Sequence, residues 1–373
     1  MSLRGLAEVI TDFFFDELDV HGAERVPVDR PVILAANHHS GLMDAMLLYA
    51  TTPRDLQAVG KSTLWKIWPL RPFLAAGRVI PIYRLRDGGG DNSNAFEAVA
   101  AALADGGAVG IFVEGTSHDL PGLERIRTGT ARMTFDAIQV GAAPVIVPVG
   151  LVFEDRERFR SDALVRFGQP IDVAAAFPHG TSDDREAVRE LTAAIESGLR
   201  EVAPTWENEA QRAAARTAAM QRLPIGASLG DVETEAERLA SIGAFTEPDE
   251  RFVGPHGEAD LLVPPDEVDP LLAAILWPFA MVGKVANLPP FVTVALLVKR
   301  QDRNVRATIK SAAAMILYPL WWAAIALAGR WFGLSWTWAL AVAAAVAVLG
   351  IIAARELPLA RDERRTRRLL RDP

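Results

Sequence analysis

Residues Asn37-His38-His39-Ser40-Gly41-Leu42-Met43-Asp44 place two imidazoles, a hydroxyl and a carboxylate in one short stretch. An imidazole held in one tautomer by a carboxylate can act as a general base. Five residues separate His38 from Asp44, and four separate His39 from it. Neither spacing joins the side chains on a regular helix, where facing neighbours sit roughly three or four apart. The histidine is therefore expected in a turn and Asp44 in the first turn of a helix, with Ser40 or Asn37 as N-cap. The plainer reading makes both histidines polar loop residues and Asp44 a helix cap.

The surrounding chain supplies the elements that must hold such a pair. Ile33-Leu34-Ala35-Ala36 reads as a buried strand, and Ala45-Met46-Leu47-Leu48 resumes as a helix. Chemistry at a strand end is the habit of α/β folds. Two further strands end in polar groups. Gly77 to Arg84 closes on a cation suited to bidentate contact with a phosphate, or simply to water. Gly110 to Ser117 runs into a turn where Glu114 and Gly115 face the same pocket as His38, unless the turn is an ordinary one.

Arg125, Arg127 and Arg132 flank Thr128-Gly129, where Arg127 adds a positive contact at a helix N-terminus. Gly88-Gly89-Gly90-Asp91 lacks the Lys-Ser/Thr of a Walker loop and reads as a flexible lead into a helix near 95–103. With an opening amphipathic helix and strands near 19–21, 56–59, 144–151 and 164–168, the alternation predicts an α/β fold. Its sheet is mostly parallel with flanking helices.

Composition narrows the classes. A net charge of −8 over 373 residues, with a pI near 5.4, argues against a nucleic-acid binder. The absence of cysteine excludes disulfides, thiolate zinc sites and thiol nucleophiles. Phe13-Phe14-Phe15 is too short and too acid-flanked for a signal-peptide core, so the first part is expected in the cytoplasm. The Trp- and Pro-rich segment 64–73 reads as core helix and turn, with a lipid-facing surface as the alternative.

Further on, residues 185–220 are helical with a break at Pro204-Thr205, which carries the first domain to about residue 225. Residues 226–268 form an acidic helical linker. Residues 269–299 are apolar but interrupted, and fit a re-entrant or interfacial hairpin. Ser311–Ala328 and Gly333–Ala354 are long enough to cross a bilayer as a transmembrane hairpin, with tryptophans near the tight turn. Arginines on both flanks, including the basic tail 355–373, put both ends on the cytoplasmic side of a multi-pass inner-membrane protein. A buried helical pair in a soluble protein is the other way to read those runs.

Four blocks in order resemble the glycerolipid (phosphate) acyltransferase superfamily, which includes lysophosphatidate and glycerol-3-phosphate acyltransferases. Asn37 to Asp44 is similar to the first block, Gly77 to Arg84 to the second, Phe112 to Ser117 to the third, and Val145 to Val149 to the fourth. Alignment on Asn37 selects His38 as the base; His39 has the commoner spacing and stays open. Val113 stands where the third block usually has Pro.

The resemblance implies that His38, oriented by Asp44, deprotonates a glycerol hydroxyl that attacks the thioester of acyl-CoA or acyl-carrier-protein. Arg84, Glu114, Gly115, Thr116 and Arg127 would hold the phospholipid precursor. No cofactor or metal is implied beyond the acyl donor, and the partners are the lipid bilayer, the precursor and that donor. A non-catalytic membrane adaptor on the same fold is the alternative; a hydrolase working through Asp44 lacks a second acidic cluster.

Overall fold

A computed structural model describes residues 3–66, 68, 71–83, 89–156, 158–224, 227–245, 270–299 and 303–371. The chain divides into two compact units, one of residues 1–154 and 162–205, the other of residues 155–161 and 206–373.

In the first unit the apolar runs become strands β1 (Leu18–His21), β2 (Val32–Ala36), β3 (Leu56–Lys61), β4 (Ile80–Ile82), β5 (Ala108–Phe112), β6 (Val145–Phe153), β7 (Ala163–Phe167) and β8 (Ile171–Asp172). Helices α1 (Leu3–Phe14), α2 (Leu42–Thr51), α3 (Arg71–Ala76), α4 (Ser93–Ala104), α5 (Gly129–Gln139), α6 (Val173–Ala176) and α7 (Arg185–Val202) join or flank them. The strands form one sheet in the order β1-β7-β6-β2-β5-β3-β4, with β8 beside β6. Strands β6, β2, β5, β3 and β4 run parallel; β7 and β8 are antiparallel to β6. Every residue of β2 and β6 is buried, as central parallel strands require when helices cover both faces. The expected fold class is the observed one.

The connections decide where a crevice opens. From β2 the chain passes through α2 to β3 on one side, whereas from β5 it passes through α5 to β6 on the other. Right-handed crossovers then put α2 and α5 on opposite faces. The packing agrees: Ile33, Ala35, Val109 and Ile111 share a core with residues of α4, α5 and α7. On the other face Leu48 of α2 lies over Gly110, and α1 packs on α2. The loops after β2 and β5 thus diverge at neighbouring strand ends, the place where open α/β sheets bind ligands.

The second unit begins with helices α8 (Glu209–Met220) and α9 (Leu229–Ser241), packed through Trp206, Ala215, Ala219, Val232, Ala236 and Leu239. A buried ion pair, Arg216 to Glu233 at 3.0 Å, joins them. Of the expected linker, residues 229–241 are this helix, while residues 246–269 lie outside the described residues. Next come α10 (Pro270–Ala286), α11 (Leu288–Val298), α12 (Arg303–Trp331) and α13 (Trp336–Arg371).

Two stretches, Ala313–Trp331 and Trp336–Ala354, are each 19 residues long and apolar enough to cross a membrane. At 1.5 Å per residue each spans about 28 Å, close to a hydrocarbon core. The preceding pair, α10 and α11, bends by 66° at Asn287. That side chain donates to the Gly283 and Val346 carbonyls and accepts from Trp322 Nε1, each at 3.0 Å. A Cβ on Gly283 would lie 1.9 Å from the Leu349 carbonyl, so only glycine allows α10 and α13 to approach this closely.

Asp162, just before β7, accepts the Glu17 N–H at 3.0 Å. Burial, followed by the neighbouring Glu154, Glu17 and Asp16 charges, pushes its carboxyl up from 3.8 to about 6. A carboxyl raised in the folded state favours the protonated form, so its ionised form costs stability above about pH 6 and the cost disappears below about pH 4. Asp162→Asn keeps the acceptor and removes the charge. We expect it to melt above the wild type at pH 7.5, by about 1 kcal/mol after solvent screening, with the gap closing by pH 4 in calorimetry. An equal gap at both pH values would refute this origin.

Candidate active site

Ala36 of β2 stands opposite Phe112 of β5 in the parallel register. Two residues beyond each strand come His38 and Glu114, so the register alone sets them side by side at the carboxyl edge. His38 Nδ1 lies 2.7 Å from Asp44 Oδ2. A carboxylate only accepts, so Nδ1 carries a proton, and in the neutral ring Nε2 then presents the lone pair. The ring lies flat on Phe112, with centroids 4.2 Å apart. Its Nε2 has no hydrogen-bond partner among the described residues, and the side chain is 17% exposed.

Asp44 is the third residue of α2 and is fully buried. Besides the His38 ring, its Oδ2 accepts the N–H groups of His39 (2.9 Å), Ser40 (2.7 Å) and Gly41 (3.0 Å). The expectation that Ser40 or Asn37 caps the helix is corrected here. Gly41 takes the N-cap position, and Asp44 reaches back to the main-chain donors that a capping side chain would otherwise leave to water. Of His39, Asp44 takes the main-chain N–H; the His39 ring stands edge-on to His118 at 4.9 Å.

Asn37 has a different task. Its amide donates to the Leu151 carbonyl at 3.0 Å and accepts the Leu151 N–H at 2.7 Å, tying the end of β2 to β6 deep in the core.

Glu114 is also fully buried. Its Oε2 accepts the His38 N–H at 2.6 Å, and its Oε1 accepts from Glu124 N–H and His118 Nε2, both at 2.8 Å. Its carboxylate thus grips the peptide of His38. Gly115 follows with φ +71°, a left-handed turn that lets the loop double back. The Arg127 N–H donates to the Val113 carbonyl at 2.9 Å, and a Cβ on Gly115 would sit 3.5 Å from Arg127 Cγ, so the arginine stem runs beside this glycine. The Arg127 side chain is exposed. Thr116 is half-buried in the same turn, its hydroxyl donating to the Ser117 carbonyl at 3.3 Å. Arg84 lies outside the described residues.

His118 and Phe112 were not singled out by sequence. The sole signal for His118 was its place in a polar run four residues after Glu114.

Residues 17–152 match the sequence model of the family described as Acyltransferase. Over 114 residues, 29% of this chain and 15% of the relative, the chain is 40% identical to glycerol-3-phosphate O-acyltransferase 2 of Saccharomyces cerevisiae. It is 35% identical over 120 residues, 31% of this chain and 16% of the relative, to glycerol-3-phosphate O-acyltransferase 1 of the same yeast. The match therefore spans less than a fifth of either relative. Among solved structures, the 1-acyl-sn-glycerophosphate acyltransferase PlsC from Thermotoga maritima is similar with TM-score 0.38 and 21% identity, covering 53% of this chain and 78% of that one.

Asn37→Asp tests the tie to β6. The new oxygen would face the buried Leu151 carbonyl, and we expect a loss of about 2–4 kcal/mol in denaturant unfolding. Unchanged stability would show that the Leu151 bonds carry no weight.

Proposed function

We propose, from the premise that residues 17–152 are a domain of the acyltransferase family, that the protein is a membrane-bound O-acyltransferase that acylates a glycerol hydroxyl. The observation that carries this reading is the His38–Asp44 pair, with Nε2 the ring nitrogen left for an incoming acceptor. The acceptor hydroxyl gives its proton to His38 Nε2 as its oxygen attacks the thioester carbonyl of acyl-CoA or acyl-carrier-protein. Asp44 holds the resulting imidazolium. When the tetrahedral intermediate collapses, the C–S bond breaks and the imidazolium proton passes to the departing thiolate, leaving an ester and a thiol. The chain itself forms no covalent bond to the acyl group.

For the acceptor we propose glycerol 3-phosphate or lysophosphatidate, the first to be tested being glycerol 3-phosphate because the yeast relatives are named for it. Arg127 and Gly115, adjacent in the loop after β5, and Arg84 after β4 are the groups we assign to its phosphate. Glu114, expected among the acceptor contacts, is assigned instead to holding His38, since its buried oxygens already take three donors. We place the two spans in the cytoplasmic membrane, with both flanks of the pair on the cytoplasmic side as their arginines suggest.

With labelled acyl-CoA and purified protein in detergent, His38→Ala should lower kcat by about 10²- to 10⁴-fold. His39→Ala should stay within about tenfold of wild type, since Asp44 takes only its main-chain N–H. The opposite ranking would transfer the base to His39. No product with any acceptor, from either CoA or carrier-protein donors, would favour a non-catalytic adaptor. The anchor has its own check: after carbonate washing the full chain should sediment with membranes, and a chain ending at residue 302 should be released in larger part.

A further inference from the structure

We propose that His118 is a positioning residue for His38, a role that rests on the reading of His38 as the base. Its ring is nearly buried, at 8% exposure. Nδ1 accepts the Leu120 N–H at 3.2 Å, and in a neutral imidazole this leaves the proton on Nε2. Nε2–H then donates to Glu114 Oε1 at 2.8 Å. The tautomer is fixed from one side and used on the other.

The consequence runs to the base in two steps. Glu114 Oε2 holds the His38 N–H at 2.6 Å, and the His118 main-chain N–H donates to the His38 carbonyl at 3.3 Å. Both main-chain polar groups of His38 are therefore held from the loop after β5, one directly by His118 and one through the carboxylate to which His118 donates. Asp44 holds the ring from the other side, out of α2. Loss of the His118 donor would leave a fully buried carboxylate short of one partner, which costs more than the bond itself. The carboxylate would then draw water or turn away, and the His38 peptide would follow it. A shift of the order of 1 Å in a reacting group is enough to cost about 10²-fold in rate.

His118 does not touch an acceptor in this arrangement, so its loss should lower kcat and leave the acceptor KM nearly unchanged. The test compares His118→Phe, which fills the space without a donor, with His118→Gln, whose amide reaches as far as Nε2 and donates. We expect kcat to fall about 10- to 100-fold in the phenylalanine variant and to return to within about threefold of wild type in the glutamine variant. The second readout is hydrogen exchange by mass spectrometry over residues 34–44. Exchange there should quicken in the phenylalanine variant, be normal in the glutamine variant, and stay unchanged in β6 for both.

Equal losses in both variants, or faster exchange across the whole sheet, would overturn the positioning role in favour of plain packing. A raised KM with unchanged kcat would overturn it in favour of acceptor contact. Should the wild type acylate none of the acceptors, the reading of the site as a transferase fails. The exchange comparison would still decide whether His118 sets the His38 turn.

Discussion

Two fully buried carboxylates, Asp44 and Glu114, impose the constraint on which the rest of the site depends. Removing a carboxylate from water is expensive unless donors replace the lost hydration. Here the donors are mostly main-chain N–H groups: His39, Ser40 and Gly41 for Asp44, His38 and Glu124 for Glu114. Main-chain donors are placed by the path of the chain, so one shape of the turn after β2 serves both Asp44 Oδ2 and Glu114, while Asp44 Oδ1 stays buried with no hydrogen-bond partner among the described residues. The two imidazoles that complete the sets, His38 and His118, inherit their orientation from that shape.

This arrangement requires β2 and β5 to be adjacent, parallel and in a register that ends them together. Ala36 opposite Phe112 meets that requirement, and the Asn37 amide bonds to Leu151 extend it to β6. The helices matter through the same logic. Because α2 and α5 leave to opposite faces, the loops after β2 and β5 part at neighbouring strand ends, where His38 and Glu114 stand. A base with one ring nitrogen anchored by a buried carboxylate is preorganised, so little reorganisation is left for the moment of proton transfer.

What could be read from sequence follows the range of the interaction. The apolar runs of β2, β5 and β6 and the placing of a histidine in a turn before Asp44 are local patterns; they gave the α/β sheet but left His38 and His39 both open, and the resemblance, aligned on Asn37, chose His38. The Gly41 cap was missed because Asp44 itself supplies the acceptor, which short-range cap preferences do not anticipate. Asn37 looked like a cap candidate for the same reason, yet its partners are in β6, 114 positions away. His118 was invisible because its meaning depends on which loop lies beside the β2 turn, and strand order is a tertiary fact. The family resemblance pointed to Glu114 as an acceptor contact, but its burial and three donors are properties of the folded chain alone.

The second unit shows the same rule in an apolar setting. Asn287 interrupts α10 and α11, and a polar side chain among apolar helices must find its partners within the protein. It does so through Gly283, Val346 and Trp322, while Trp321 Nε1 donates to the Ala286 carbonyl at 3.0 Å. The break in one helix pair is thereby satisfied by α12 and α13, whose outer faces keep Leu320, Leu327, Leu340 and Val348 exposed. Hydrogen bonding is directed inward and apolar surface outward. That distribution suits hydrocarbon as a solvent and would be a liability in water.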